Sequence, residues 1–244
     1  LVRNRQGVKL TAAGKQTLPA VLAVLRANEQ LEQIISGIRG HDIGTVRIAA
    51  FTSVAVHWLP DILKQFQLLH PKVEFQLNNG DYHDVEQWLR DEACGIGFIS
   101  LPTNLQLPYF TLAEDPLVAI VPTNHPLAGA SHYPVRRVEQ EDFISLLETS
   151  SHDTRRIFHE NSVTPNIKFT TKDDYAIIAM VEKGLGISIL PQLLLQDCRE
   201  SIAVLPLDPP CRRTIALALS KTGTDNPVAQ TFAQYVQTWV QTHA

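Results

Sequence analysis

The sequence predicts an α/β protein of two lobes preceded by a long helix, and three features predict it. Residues 12–38 carry an apolar stripe at helical spacing. Short apolar runs then alternate with amphipathic stretches twice over, once up to residue 121 and again up to residue 212. Between the two alternations lies PTNHPLAGASHYP, a loop rich in proline and small residues. Strand–helix alternation implies parallel strands joined by helical crossovers. Its repetition predicts two such lobes and a cleft between them, where ligand pockets tend to form.

In the long helix, Leu18, Val21, Leu22, Leu25, Leu31, Ile34, Ile35 and Ile38 share one face, with Thr11 at the N-cap and Gly40 beyond the end. Pro19 predicts a kink, or a true start near Thr17. Asn28 sits in the apolar seam, where a polar residue sets the register of a helix pair, so this helix is expected to dimerise; packing on its own domain is the alternative. HDIG (41–44) reads as a linker. Val46–Phe51 is then a buried strand, 53–69 a helix with Val54, Leu59, Ile62, Leu63, Phe66 and Leu69 inward, Val73–Leu77 a strand, 84–92 a helix, and Ile96–Ser100 a buried strand. Tyr109–Glu114 and Leu117–Val121 read as two more strands. In the second alternation Phe143–Leu147, Ile167–Thr171 and Ile187–Leu190 are strands, and 152–161 and 174–183 are helices. Val204–Leu207 and Thr214–Leu219 are the last strands, and 226–242 is a helix carrying Val228, Phe232, Val236 and Val240 on one face. The lobes are therefore expected to join near residue 121 and again near residue 212.

The 244 residues are 44% hydrophobic and 19% charged, the balance of an ordinary globular protein, with a net charge of −4. That balance excludes a free-standing nucleic-acid binder, which needs clustered Lys and Arg. Arg3, Arg5 and Lys9 nonetheless crowd the first ten positions without an acid among them. Cys94, Cys198 and Cys211 have no metal-ligand or redox-pair spacing, and nothing reads as an export signal or a membrane span, so free thiols in a reducing cytoplasm are expected. No nucleophile elbow, phosphate loop, HExxH or dinucleotide fingerprint is present, and the nine histidines show no i, i+4 pair. No catalytic, metal or cofactor site is expected.

The candidate site is built from hydroxyls at the starts of helices and the ends of strands. Thr52 and Ser53 follow the first strand and open a helix, where two hydroxyls and unpaired helix N–H groups favour an anion. The same residues also suit a plain helix cap. Thr149, Ser150 and Ser151 hold the equivalent place in the second lobe. Ser100 and Thr171 end strands, at the edge where open α/β sheets bind ligands. Asp173 and Asp174 suit a helix N-terminus; turned to the cleft, they favour a ligand with an amino group.

Several stretches, in order, resemble LysR-type transcriptional regulators. VRNRQGVKLTAAG (2–14) is similar to the end of that family's winged helix-turn-helix domain and the start of its linker helix. LPDILKQFQLLHPKVEFQL (59–77), GDYHDVEQWL (80–89) with CGIGFIS (94–100), VPTNHPLAG (121–129) and MVEKGLGISILP (180–191) are similar to successive parts of its effector domain. Gly95 departs from the pattern, standing where the family often has Asp.

The resemblance implies a two-lobed, periplasmic-binding-protein-like effector domain. Residues 1–11 are then the end of the DNA-binding wing and 12–40 the linker and dimerisation helix. Residues 45–121 with 213–244 form one lobe, and 122–212 the other. It also implies that Thr52, Ser53, Ser100, Thr149 and Thr171 bind a small anionic effector, and that Arg3 and Arg5 touch DNA backbone phosphates. The recognition helices are expected ahead of Leu1. The protein is expected to act in the cytoplasm as a homodimer or homotetramer, away from membranes, as a regulator rather than an enzyme and without a cofactor. A transporter's solute-binding protein shares the two-lobed plan and is the rival reading; it leaves the basic start and the long seam helix without a purpose.

Overall fold

A computed structural model of the chain describes residues 1–4, 7–38, 44–147, 153–196, 198 and 202–243. Arg5 and Thr149, both expected contact residues, lie outside these. A short hairpin of β1 (Val2–Asn4) and β2 (Gly7–Lys9) leads into α1 (Ala12–Ile38). Thr11 caps this helix, its hydroxyl oxygen accepting the Gly14 N–H at 2.9 Å. With the cap there, the helix starts at Ala12 rather than near Thr17, and Pro19 is carried inside it. A single proline removes one bond from a long ladder and does not end it. Leu18, Val21, Leu22, Leu25, Leu31 and Ile35 are all exposed, so these positions of the apolar stripe are not used in this chain's own core.

β3 (Gly44–Ala50), β4 (Val73–Asn79) and β5 (Ile96–Leu101) run parallel, with β3 in the middle. The helix expected over 53–69 is two, α2 (Thr52–His57) and α3 (Leu59–Leu69), broken at Trp58. Pro60 explains the break, because proline suits a first helical turn and cannot continue a ladder. α3 buries Leu59, Ile62 and Phe66 but leaves Leu69 exposed; the helix ends there, and the His70 ring stacks on Phe66 with centroids 4.3 Å apart. α4 (Tyr82–Arg90) opens on a capping box, in which Asp81 accepts the Asp84 N–H at 2.8 Å and Asp84 accepts the Asp81 N–H at 3.1 Å.

β6 (Tyr109–Pro122) is one strand where two were expected. Then come β7 (Tyr133–Pro134), β8 (Asp142–Leu146), α5 (Asp153–Asn161), β9 (Asn166–Thr171), α6 (Asp174–Glu182) and β10 (Ser188–Pro191). α6 ends in a Schellman turn: Gly184, at φ +71°, bonds its N–H to Val181, and the Leu185 N–H reaches Met180. β11 (Ile202–Leu219) is also one strand where two were expected, followed by α7 (Lys221–Thr224) and α8 (Pro227–His243). It pairs antiparallel along β6, and its register steps between Pro206 and Cys211, where Leu207 and Asp208 pair with β7 instead. The main sheet has the order β10-β6-β11-β5-β3-β4 and is mixed, because β11 is antiparallel to both β5 and β6. β8 and β9 pair with each other and meet the main sheet through a bridge from Phe143 to Ile187. At the far end Gly95 packs on Gly223, where a side chain on Gly223 would run into the Gly95 carbonyl oxygen.

Among the described residues the apolar core forms four clusters, and the two largest mark two bodies. One body holds Ile48, Phe66, Phe98, Leu217 and the α8 residues Val228, Phe232, Val236 and Val240. Burial of each of these four α8 side chains stabilises this body by roughly 1.5–3 kcal/mol. The other holds Leu117, Val121, Phe143, Ile189 and Leu205. On β6 the changeover falls between Ala113 and Leu117, earlier than residue 121, and on β11 it falls between Leu207 and Ile215.

Candidate functional site

A cavity of about 310 Å³ lies between the two bodies. One wall comes from the end of β3 and the starts of α2 and α4, with Phe51, Thr52, Ser53, Asp81 and Tyr82. The opposite wall comes from β8, α5, α6 and β10, with Leu146, Asp153, Asp174, Ile189 and Leu190. The two crossing strands contribute Leu117 and Arg213.

Arg213 organises the polar part. It stands opposite Asp115 in the β6–β11 ladder, and both side chains are buried. Its Nε and Nη2 donate to one Asp115 oxygen at 2.9 and 2.6 Å, and the Leu193 N–H satisfies the other oxygen at 2.9 Å. Nη2 also donates to the Ser53 hydroxyl and Nη1 to the Tyr82 hydroxyl, each at 2.6 Å. The guanidinium carbon lies 4.6 Å from the centre of the Phe51 ring, within cation–π range, and Tyr82 meets Phe51 edge-on at 5.1 Å. Tyr82 then donates to Asp153 at 2.8 Å, which links one wall to the other. Burial works against the charge on Arg213, but Tyr82, Asp115 and Asp153 outweigh it and raise the pKa, so the guanidinium stays charged.

Asp173 and Asp174 take different parts. Asp173 caps α6, accepting the N–H groups of Tyr175 and Ala176 at 2.9 and 3.3 Å. Asp174 lines the cavity. Burial pushes its carboxyl above the usual carboxylate value, by more than a hydrogen bond from Thr52 and the charge of Arg213 pull it down.

Of the hydroxyl residues singled out in the sequence, Thr52 and Ser53 line the cavity. Neither is the cap of α2; Phe51 holds that place without a side-chain bond, and the Ser53 oxygen receives Arg213 instead. Ser100 sits in β5 opposite Ile215, and the Thr171 hydroxyl accepts the Asp173 N–H at 3.1 Å; neither is among the lining residues. Arg3 lies in β1 opposite Val8. Arg213, Asp115, Tyr82 and Asp153 were not singled out. Their signal was an acidic pair, Glu114-Asp115, and a basic pair, Arg212-Arg213, each beside an apolar strand run. The lining also bears on the expected anionic effector. Among the described residues it holds four carboxylates (Asp81, Asp84, Asp153 and Asp174) against the two cations Lys172 and Arg213, so an anion meets a predominantly acidic set of them.

The chain matches the LysR substrate binding domain over residues 39–241. It belongs to the LysR family. This LysR-type chain is 28% identical over 237 residues to the HTH-type transcriptional activator CmpR of Synechocystis, an alignment covering 94% of the chain and 77% of CmpR. It is 27% identical over 247 residues to the transcriptional dual regulator GltC of Bacillus subtilis, covering 96% of the chain and 80% of GltC. Among solved structures, the regulatory domain of Synechocystis CcmR in complex with 2-PG has a TM-score of 0.75 at 24% identity, covering 82% of this chain and 98% of that one. The effector binding domain of QuiR in complex with shikimate has a TM-score of 0.74 at 22% identity, covering 82% and 99%. The LysR-type chain is thus the two-lobed effector-binding part of a transcriptional regulator, and this reading is favoured over a transporter's solute-binding protein. Among the described residues no helix is long and apolar enough to cross a membrane.

Proposed function

We propose that this regulator binds its small-molecule effector in the cavity between the lobes, at Thr52 and Ser53 on one wall and at Asp153 and Asp174 on the other. It acts by binding, without turnover. The observation that carries this reading is the relay Asp115–Arg213–Tyr82–Asp153, which joins the two walls through hydrogen bonds of 2.6 to 2.9 Å. A ligand that enters must replace or extend the Tyr82–Asp153 bond. Its affinity then differs between lobe arrangements, which is the condition for shifting their populations. Thr149 stays in the proposal because it precedes Asp153 and Thr154, both of which line the cavity. Ser100 and Thr171 are not among the lining residues, although Thr171 adjoins the lining, next to Lys172 and with its carbonyl accepting the Leu147 N–H at 2.6 Å.

The output runs through α1. Its exposed face, with Leu18, Val21, Leu22 and Leu25, is apolar enough to need a partner, and a second copy of the same helix supplies one. In the resulting cytoplasmic homodimer or homotetramer, a change in lobe arrangement alters how the DNA-binding domains are spaced, with Arg3 and Arg5 on backbone phosphates. The site is tested by a thermal-shift screen of small metabolites followed by calorimetry on Ser53→Ala. A folded variant with several-fold weaker binding supports the assignment. Unchanged affinity moves the site elsewhere.

A further inference from the structure

We propose that the effector of this cleft carries a positively charged nitrogen, seated at Asp174 beside Thr52, with its apolar part against Leu146, Ile189 and Leu190. The inference rests on the cleft being the effector site, as proposed above, and concerns what the site selects.

Charge bookkeeping around the cavity leads to it. Arg213 is the buried cation of the lining, yet its charge is already matched: Asp115 takes two of its N–H groups at 2.9 and 2.6 Å, and neutral hydroxyls of Ser53 and Tyr82 take two more. Lys172, the other cation, is exposed. Among the carboxylates, Asp81 and Asp84 are tied to each other's backbone in the α4 capping box. Asp153 accepts the Tyr82 hydroxyl at 2.8 Å and has Arg156 at 3.7 Å. Asp174 differs from all of these. Its neighbour Asp173 has taken the helix cap, so Asp174 is not needed there. Among the described residues it forms no ion pair, although burial disfavours its charge and only the Thr52 hydroxyl, the charge of Arg213 and a local backbone bond offset that cost.

Asp174 is half-buried, and a partly desolvated carboxylate without a counter-cation is less costly to keep once a ligand supplies the cation. An ammonium group makes a charge-assisted hydrogen bond with such a carboxylate; of the like charges in the lining, Arg213 is already paired with Asp115 and Lys172 is exposed to solvent. A carboxylate ligand does the reverse, adding a negative charge beside Asp174 and Asp153. Leu117, Leu146, Ile189, Leu190 and Leu194 give the lining an apolar side, which suits an aliphatic or other hydrocarbon body attached to the nitrogen.

The experiment uses the whole chain and three probes of one skeleton: pentylamine, 5-aminovalerate and valerate. Binding is read by melting temperature, since a ligand of the folded state raises it further the tighter it binds at a given concentration, and then by calorimetry. The two amine-bearing probes should stabilise the chain and valerate should not. Asp174→Asn should weaken amine binding at least about tenfold, the scale of one lost charge-assisted bond. Asp173→Asn, which keeps a capping oxygen and changes a residue outside the lining, should change it far less than Asp174→Asn does. The proposal is overturned if valerate alone stabilises the chain, if neither amine does, or if Asp174→Asn binds amines as wild type does. Leu147→Trp, which fills the cavity from a half-exposed position, separates this from failure of the cleft reading. Amine binding that survives Leu147→Trp lies outside the cleft and sinks both. Valerate binding abolished by it, with no amine binding, keeps the cleft and rejects the cation.

Discussion

Arg212 and Arg213 are neighbours on β11, Glu114 and Asp115 are neighbours on β6, and the two ion pairs they form could hardly sit in more different surroundings. Arg212–Glu114 closes at 2.9 Å with side chains 62% and 53% exposed, whereas Arg213–Asp115 closes at 2.6 Å with side chains 2% and 7% exposed. Successive side chains on a strand point to opposite faces, so one residue step carries a pair from water into the cleft wall. The chemistry is the same, but the consequence of breaking it is not. The exposed pair is screened by solvent, while the buried pair has given up its hydration and depends on every partner around it.

The sharpest way to break the comparison is to remove one partner from each pair. Asp115→Ala leaves a buried guanidinium without its counter-ion and should cost about 3–5 kcal/mol in urea unfolding. If it cost no more than Glu114→Ala, burial would not be what separates the pairs. Tyr82→Phe comes next. It deletes an oxygen that accepts from the charged Arg213 and the donor that reaches Asp153, and a loss of about 1.5–3 kcal/mol is expected by the same measurement. Glu114→Ala should cost at most about 1 kcal/mol. That small loss should shrink further in high salt, which screens exposed charges, whereas the Asp115→Ala loss should hardly change.

The last prediction has the opposite sign. Burial raises the Asp174 pKa, so the folded chain holds that proton to higher pH than the unfolded chain does. The folded state then binds more protons across this window, and stability falls as pH rises from the ordinary carboxylate value through the raised one. Asp174→Asn removes that falling limb. The variant should melt above wild type at neutral pH and level with it in acid, as expected where a ligand site is kept at a cost to stability. Parallel melting curves across the whole pH range would show that Asp174 is under no such strain.

Much of the architecture was legible in the sequence because helix and strand periods are local signals. The α8 positions Val228, Phe232, Val236 and Val240 read as one face and are buried as one. The Gly184 turn from helix to strand was visible from GLGIS alone. The two long strands were not legible as units. Pro116 reads as an interruption, yet it pairs opposite Arg212 within β6, and the step in β11 depends on where β7 lies. The site was half legible. Thr52 and Ser53 announce themselves as hydroxyls at a helix start, but the groups around them come from far along the chain. Arg213 is 98 residues from Asp115, 131 from Tyr82 and 160 from Ser53.

The amino-acid sequence by itself determined the strand–helix alternation, the long apolar-faced helix and the presence of paired charges beside two apolar strands. Which arginine enters the cleft was decided only by the tertiary structure. A slip of one residue in the β6–β11 register exchanges the faces, putting Arg212 inside and Arg213 in water. That register is held by contacts between distant segments, as is the division of labour that leaves Asp173 on the helix cap and turns Asp174 to the cavity.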